Sequence, residues 1–170
     1  MTRSLLLVDD DPQIVGMLGK HFEKEGWTVF RAVDPTSCAE MYERERPDVV
    51  MLDLQLPGLS GLRLLEVLRS RDPDAAVIML TGHGDIETAV EAMRLGAENF
   101  LTKPVELAHL SAAAGRAFEK VELRRRNRFW SEKQIESTDL AGLGRSGPMR
   151  ELARQMELLA TSDTTVLLLG

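Results

Sequence analysis

The chain of 170 residues is 44% hydrophobic and 28% charged, with a formal net charge of -6; this suits one folded domain plus an appendage and excludes a disordered chain. No apolar run nears the roughly 20 residues of a membrane helix, and the start Met1-Thr2-Arg3-Ser4-Leu5-Leu6-Leu7-Val8 meets acids at once, unlike a signal peptide, so a cytoplasmic protein is expected. The negative balance gives no general attraction to nucleic acid or anionic lipid, and the single Cys38 cannot form an internal disulfide, which agrees with a reducing compartment.

In chain order, Leu5-Leu6-Leu7-Val8 reads as a strand covered on both faces. Asp11-Pro12 then supplies an N-cap and a first helical residue, with Ile14, Leu18 and Phe22 on one face and Gly26 as the stop. Thr28-Val29-Phe30 is a weaker strand, and Asp34-Pro35 repeats the capping pattern. Val49-Val50-Met51-Leu52 is the third strand, followed by a helix with Leu62, Leu65 and Leu68 on one side. Val77-Ile78-Met79-Leu80 is the fourth; Asp85 caps a helix whose face carries Ile86, Ala89, Val90 and Met93, and Gly96 ends it. Asn99-Phe100-Leu101 is the fifth. This alternation predicts an α/β fold, a five-stranded doubly wound parallel sheet.

A fifth helix begins near Val105 and meets no breaker but Gly115 until well past Arg128, longer than packing on a sheet requires. Leu107, Leu110, Ala114, Ala117 and Val121 follow steps of three and four, a weak coiled-coil seam that makes this a candidate dimerising helix. Arg124-Arg125-Arg126 with Arg128 reads as a solvated helix face. From 131 to 144 the pattern fades into a linker; a helix over 148–160 and a buried strand over 165–169 follow, and that strand lacks neighbours, as in a domain cut short. The expected organisation is a domain over 1–120, a helical linker over 121–143, and the start of another domain over 144–170.

In a doubly wound sheet, functional groups gather at the carboxyl ends of strands. Asp9 and Asp10 end the first strand, Asp53 the third, Thr81 the fourth and Lys103 the fifth. Singly, each has an ordinary explanation: a turn Asp, a β-forming Thr, a solvated Lys. Together they form a mouth in which three carboxylates need a cation. Carboxylates, carbonyls and water suit magnesium, and its open positions suit phosphoryl oxygens. Asp53 then serves as nucleophile, Lys103 as a second positive charge and Thr81 as a hydroxyl donor.

These segments resemble the bacterial two-component response regulators. Leu6-Leu7-Val8-Asp9-Asp10 is similar to the acidic-pair strand, Asp53-Leu54-Gln55-Leu56-Pro57-Gly58 to the phosphoacceptor loop, and Thr81-Gly82 and Lys103-Pro104 to the remaining signatures, over residues 4–117. The resemblance implies a CheY-like receiver with Asp53 as phosphoacceptor and Asp10 as a direct magnesium ligand. Asp9 would act through water, the Gln55 carbonyl would be a further ligand, and Thr81 and Phe100 would form the switch. It implies a sensor histidine kinase as phosphoryl donor, self-catalysed phosphorylation and dephosphorylation rather than turnover of outside substrates, and a Lys103-Pro104 bond that is cis. Thr81-Gly82-His83-Gly84-Asp85, Leu143-Gly144-Arg145-Ser146-Gly147-Pro148 and the closing strand resemble the NtrC class, activators that are sigma-54-dependent and carry an AAA+ ATPase. On that resemblance Gly170 precedes the ATP-binding Walker loop. A homodimer through the linker and the face made by the fourth helix, fifth strand and fifth helix is implied, and DNA and sigma-54 polymerase would be met by parts outside this chain.

Two rival readings are weaker. A flavodoxin-like cofactor-binding module needs a hydroxyl- or glycine-rich phosphate loop where this chain has Asp9, Asp10 and Asp11. A phosphatase would turn over many small phosphate esters. The G-x-G-x-x-G at 142–147 follows no buried strand, and His83 is far in sequence from His21 and His109 and has no Cys nearby.

Overall fold

The computed structural model describes residues 3–82 and 85–137, with side chains as far as residue 128. Strands and helices alternate: β1 (Ser4–Val8), α1 (Pro12–Lys24), β2 (Thr28–Ala32), α2 (Pro35–Glu45), β3 (Val49–Asp53), α3 (Gly61–Arg71), β4 (Ala76–Thr81), α4 (Ile86–Arg94), β5 (Asn99–Thr102) and α5 (Leu107–Ser137). All five strands run parallel in one sheet of order β2-β1-β3-β4-β5. The predicted doubly wound architecture is the one observed.

Each apolar run is explained by burial on both faces. Leu5 and Leu7 of β1 enter the layer shared with Val15, Leu18 and Phe22 of α1, whereas Leu6 and Val8 enter the layer shared with Tyr42 of α2 and Leu65 and Leu68 of α3. Phe22, Trp27 and Phe118 stack edge to face at 5.9 and 5.8 Å and tie α1 to α5. The helix starts follow the capping signals: Asp11 accepts the Gln13 N–H at 2.8 Å, Asp34 those of Thr36 and Ser37 at 2.9 Å, and Asp85 that of Thr88 at 2.6 Å. After α1 and α4 the chain turns at Gly26 (φ +85°) and Gly96 (φ +94°), a conformation that a side chain disfavours.

Two helices depart from the expectations. In α5 the steps of three and four do not make a seam for a partner chain. Leu110, Ala114, Ala117 and Val121, with Ala113, are buried against the sheet in the same core as Leu5, Met51 and Ile78, and of the seam only Leu107 is exposed. The period belongs to intramolecular packing, because a helix laid on a sheet shows the same apolar stripe as a coiled coil. The helical backbone also runs on through residues 131–137, where the apolar pattern fades. The basic run is not wholly solvated either: Arg124 pairs with Glu98 and Arg125 with Asp48.

The face of α4 is reversed. Ile86, Val90 and Met93 have the helical period but are 83%, 53% and 50% exposed, while Ala92 is buried against the sheet. Val90→Ser is therefore expected to change stability by no more than about 0.5 kcal/mol, read from the urea midpoint. A loss several times larger would show that the face is covered.

Glu98 gives a pH prediction. Burial alone would raise its carboxyl, but hydrogen bonds from Lys120 and Arg124, with their charges, outweigh this and hold it below the ordinary glutamate range. A depressed folded-state value makes the carboxylate stabilising above the unfolded value, and that contribution is lost as pH falls through the folded one. Glu98→Gln is expected to be less stable than the native chain near neutrality, and the difference should shrink as the pH is lowered below 4.5. Denaturation at stepped pH checks this; a gap that widens on acidification would contradict it.

Residues Met1–Arg125 form one compact unit, and Arg126–Gly170 a second, of which the described part is the α5 backbone as far as Ser137. The candidate linker beyond Ser137, the 142–147 glycine motif, the helix over 148–160, the strand over 165–169 and His83 lie outside the described residues. Among the described residues no helix is long and apolar enough to cross a membrane.

Candidate functional site

Parallel strands in this order bring the carboxyl ends of β1, β3, β4 and β5 to one edge of the sheet. Register fixes the neighbours: Val8 lies beside Leu52, Asp53 beside Leu80, and Thr81 beside Thr102. Asp9 and Asp10 follow β1 directly, Asp53 and Thr81 close β3 and β4, and Lys103 follows β5. The five residues singled out in the sequence therefore share one mouth.

Asp9 and Asp53 are 4% and 6% exposed, Thr81 is fully buried, and Asp10 is at the surface. Oxygens of Asp9, Asp10 and Asp53 lie within 4.8 Å of one another. Lys103 reaches between two of them: its Nζ donates to Asp9 Oδ2 at 2.6 Å and to Asp53 Oδ2 at 3.0 Å. The other Asp9 oxygen accepts the Asp11 N–H at 3.0 Å, and the other Asp53 oxygen accepts the Gln55 N–H at 3.4 Å. The Thr81 carbonyl accepts the Lys103 N–H at 2.6 Å, fixing the height of Lys103 above β4. The Lys103-Pro104 bond is cis, as the resemblance implied.

Burial is the main influence raising the Asp53 carboxyl above its ordinary range; the hydrogen bond and charge of Lys103 oppose it, and the neighbouring Asp9 adds to it. Lys103 is pulled the other way: burial would lower it, but the hydrogen bonds and charges of Asp9 and Asp53 hold it above the ordinary lysine range. The ammonium is thus charged across the physiological range, facing three carboxylates. The surplus negative charge and all-oxygen donor set fit a hard divalent cation such as magnesium. Gln55, nominated for its carbonyl, stands two residues beyond Asp53 in the same loop.

Phe100 lies in β5 beside Met79, half-buried and packed on the α2–α3–α4 side of the sheet. One residue of consequence escaped the sequence reading. Gly61 opens α3, and a Cβ there would meet the Asp53 carbonyl oxygen at 2.2 Å and the Leu54 Cα at 2.8 Å. Its N–H donates to the Leu54 carbonyl at 2.7 Å, closing the loop that carries Asp53. The available signal was Ser60-Gly61, a capping residue followed by glycine where a better helix former is ordinary.

The model of the response regulator receiver domain matches residues 5–115. The chain belongs to the response regulator receiver family. Among curated relatives, the nitrogen assimilation regulatory protein NtrX of Azorhizobium caulinodans is 33% identical over 172 residues, covering 100% of this chain and 37% of that protein. The C4-dicarboxylate transport transcriptional regulatory protein DctD of Pseudomonas aeruginosa is 37% identical over 168 residues, covering 98% of this chain and 36% of that protein. The crystal structure of the receiver domain of NtrX from Brucella abortus superposes with a TM-score of 0.65 at 38% identity, covering 68% of this chain and 98% of that one. These relatives bear out the resemblance to the NtrC class. The chain spans little more than a third of the length of the curated relatives it matches. A flavodoxin-like module is not favoured.

Proposed function

We propose that this receiver accepts a phosphoryl group on Asp53 from the phosphohistidine of a sensor kinase, and that the acylphosphate controls an NtrC-class transcription activator. The observation that carries the reading is the Lys103 ammonium bridging Asp9 and Asp53, with Asp10 within 4.8 Å. Asp53 is the buried carboxylate at the centre. One of its oxygens forms the new bond to phosphorus as the phosphorus–nitrogen bond of the donor breaks and the imidazole leaves. Magnesium, held by Asp10 and Asp53 and by the Gln55 carbonyl, with Asp9 acting through water, would neutralise the negative charge of the transferring group. Lys103 is placed to follow a phosphoryl oxygen, and the Thr81 hydroxyl to hydrogen-bond another.

The output follows from the same residues. Movement of Thr81 toward the phosphoryl group would open space for the Phe100 ring and reshape the surface of α4, β5 and α5. The exposed Ile86, Val90 and Met93 support this surface as a homodimer face. The helical extension of α5 to Ser137 supports a linker toward a further domain, proposed as an AAA+ ATPase beginning near residue 144. ATP, DNA and sigma-54 polymerase would be engaged in the cytoplasm by the full-length protein.

Incubation with acetyl phosphate and magnesium, followed by intact-protein mass, is expected to show one phosphoryl adduct per chain that needs the metal and vanishes in Asp53→Asn. An unmodified native chain, or an adduct that persists in Asp53→Asn, would overturn the assignment. Steady release of phosphate over many turnovers would point to a phosphatase instead.

A further inference from the structure

Three of the strands that end in the acidic mouth begin in residues tied, directly or through Asp48, to one short stretch of α5. Asp48, which precedes β3, is buried; its Oδ2 accepts the N–H and the hydroxyl of Ser4, the first residue of β1, each at 2.8 Å, and its Oδ1 takes the Arg125 guanidinium. Glu98, which precedes β5, accepts from Lys120 Nζ at 2.8 Å and from Arg124. Arg124 also donates to the Asp74 carbonyl, two residues before β4, at 3.4 Å. Lys120, Arg124 and Arg125 thus grip the starts of β1 and β3 through Asp48, of β5 through Glu98, and the approach to β4 through Asp74.

The Glu98 and Asp48 side chains are both 8% exposed, although they lie at the edge of the sheet opposite the mouth. Pairs with partly exposed cations contribute little net stability, but their geometry specifies position. Two buried carboxylates are satisfied by these three cations at one placement of α5 along the sheet. Between the latch and the mouth, α5 packs on the core through Leu110, Ala113, Ala114, Ala117 and Phe118; the alanines make shallow contacts that interlock less than larger side chains.

We propose that this ion-pair latch passes the state of the acidic mouth to the part of α5 that continues beyond Arg125. The proposal rests on the phosphoacceptor reading of Asp53. Strand β5 has four residues, with Glu98 immediately before it and Lys103 immediately after. When Lys103 leaves Asp9 and Asp53 for a phosphoryl oxygen, so short a strand carries the displacement to Glu98, and through Glu98 to Lys120 and Arg124. Coupling of this kind is reciprocal: if the mouth acts on the latch, breaking the latch alters the affinity of the mouth by the same factor.

The test uses the full 170-residue chain and beryllofluoride with magnesium as an acylphosphate mimic. Binding is titrated by calorimetry, and amide exchange is followed over residues 118–128. The latch is opened in Lys120→Gln/Arg124→Gln, and in a second variant that adds Glu98→Gln so that no buried carboxylate is stranded. Arg71→Gln, which removes the exposed pair with Glu43, is the control. The expected result is that beryllofluoride changes exchange over 118–128 in the native chain and that both latch variants shift its affinity by about fivefold, while Arg71→Gln does not. Equal affinities in native and latch variants, or a shift reproduced by Arg71→Gln, would overturn the latch and leave the phosphoacceptor reading intact. A native chain that binds no beryllofluoride, or whose Asp53→Asn variant binds it equally well, would overturn the phosphoacceptor reading and the latch with it.

Discussion

Gly61→Ala is expected to destabilise the chain by about 3 kcal/mol and to slow phosphoryl transfer to Asp53, although residue 61 carries no functional group. A Cβ at this position would sit 2.2 Å from the Asp53 carbonyl oxygen and 2.8 Å from the Leu54 Cα. Both are backbone atoms, so no side chain can rotate away. The β3–α3 loop is also closed by the Gly61 N–H to the Leu54 carbonyl, turned at Gly58 with φ +81°, and capped at Ser60, whose hydroxyl accepts the Arg63 N–H at 3.3 Å. Relief of the clash must move either α3 or the end of β3, and the second choice displaces the Asp53 carboxylate from Lys103. Urea denaturation and the rate of adduct formation from acetyl phosphate check the two effects. A variant as stable and as fast as the native chain would show that α3 shifts freely.

Lys103→Met carries the other large effect. It leaves Asp9 and Asp53, both almost wholly buried, without their shared ammonium. Breaking a buried charge pair on one side typically costs about 3 kcal/mol, and that loss is expected in chelator at neutral pH. Magnesium should restore part of it, because a ligand that binds the folded chain stabilises it and the competing cation is gone. Transfer to Asp53 should remain slow even with the metal, since methionine offers no charge to a phosphoryl oxygen. Melting with and without magnesium separates the two roles of Lys103: a Lys103→Met chain that magnesium does not stabilise would mean that the carboxylates do not form a cation site.

Asp53 and Glu98 respond to acid in opposite senses. The raised Asp53 carboxyl favours folding when protonated, whereas the depressed Glu98 carboxyl favours it when ionised. The acid limb of the stability curve therefore reports both ends of the sheet at once, and Glu98→Gln isolates one of them.

The local signals, and the residues that come together at the acidic mouth, were legible in the sequence. Asp11, Asp34 and Asp85 cap the helices that they precede, because capping depends on the next two or three residues alone. Three apolar runs, the weaker strand Asn99-Phe100-Leu101 and a fold rule that sends function to the carboxyl ends of strands sufficed to bring Asp9, Asp10, Asp53, Thr81 and Lys103 to one end of the sheet.

Which face of a helix meets which neighbour was decided only by the tertiary structure. The stripe of α5 and the stripe of α4 have the same period, yet Leu110, Ala114, Ala117 and Val121 go to the core while Ile86, Val90 and Met93 go to the surface. Periodicity reports that a helix has an apolar side, not what covers it. The close approach of Gly61 to Asp53, and the pairing of Arg124 and Arg125 with Glu98 and Asp48, also join residues distant in sequence or in separate elements. Capping and strand formation are local, so the sequence determined them by itself; packing partners and long-range charge pairs exist only once the sheet has brought them together.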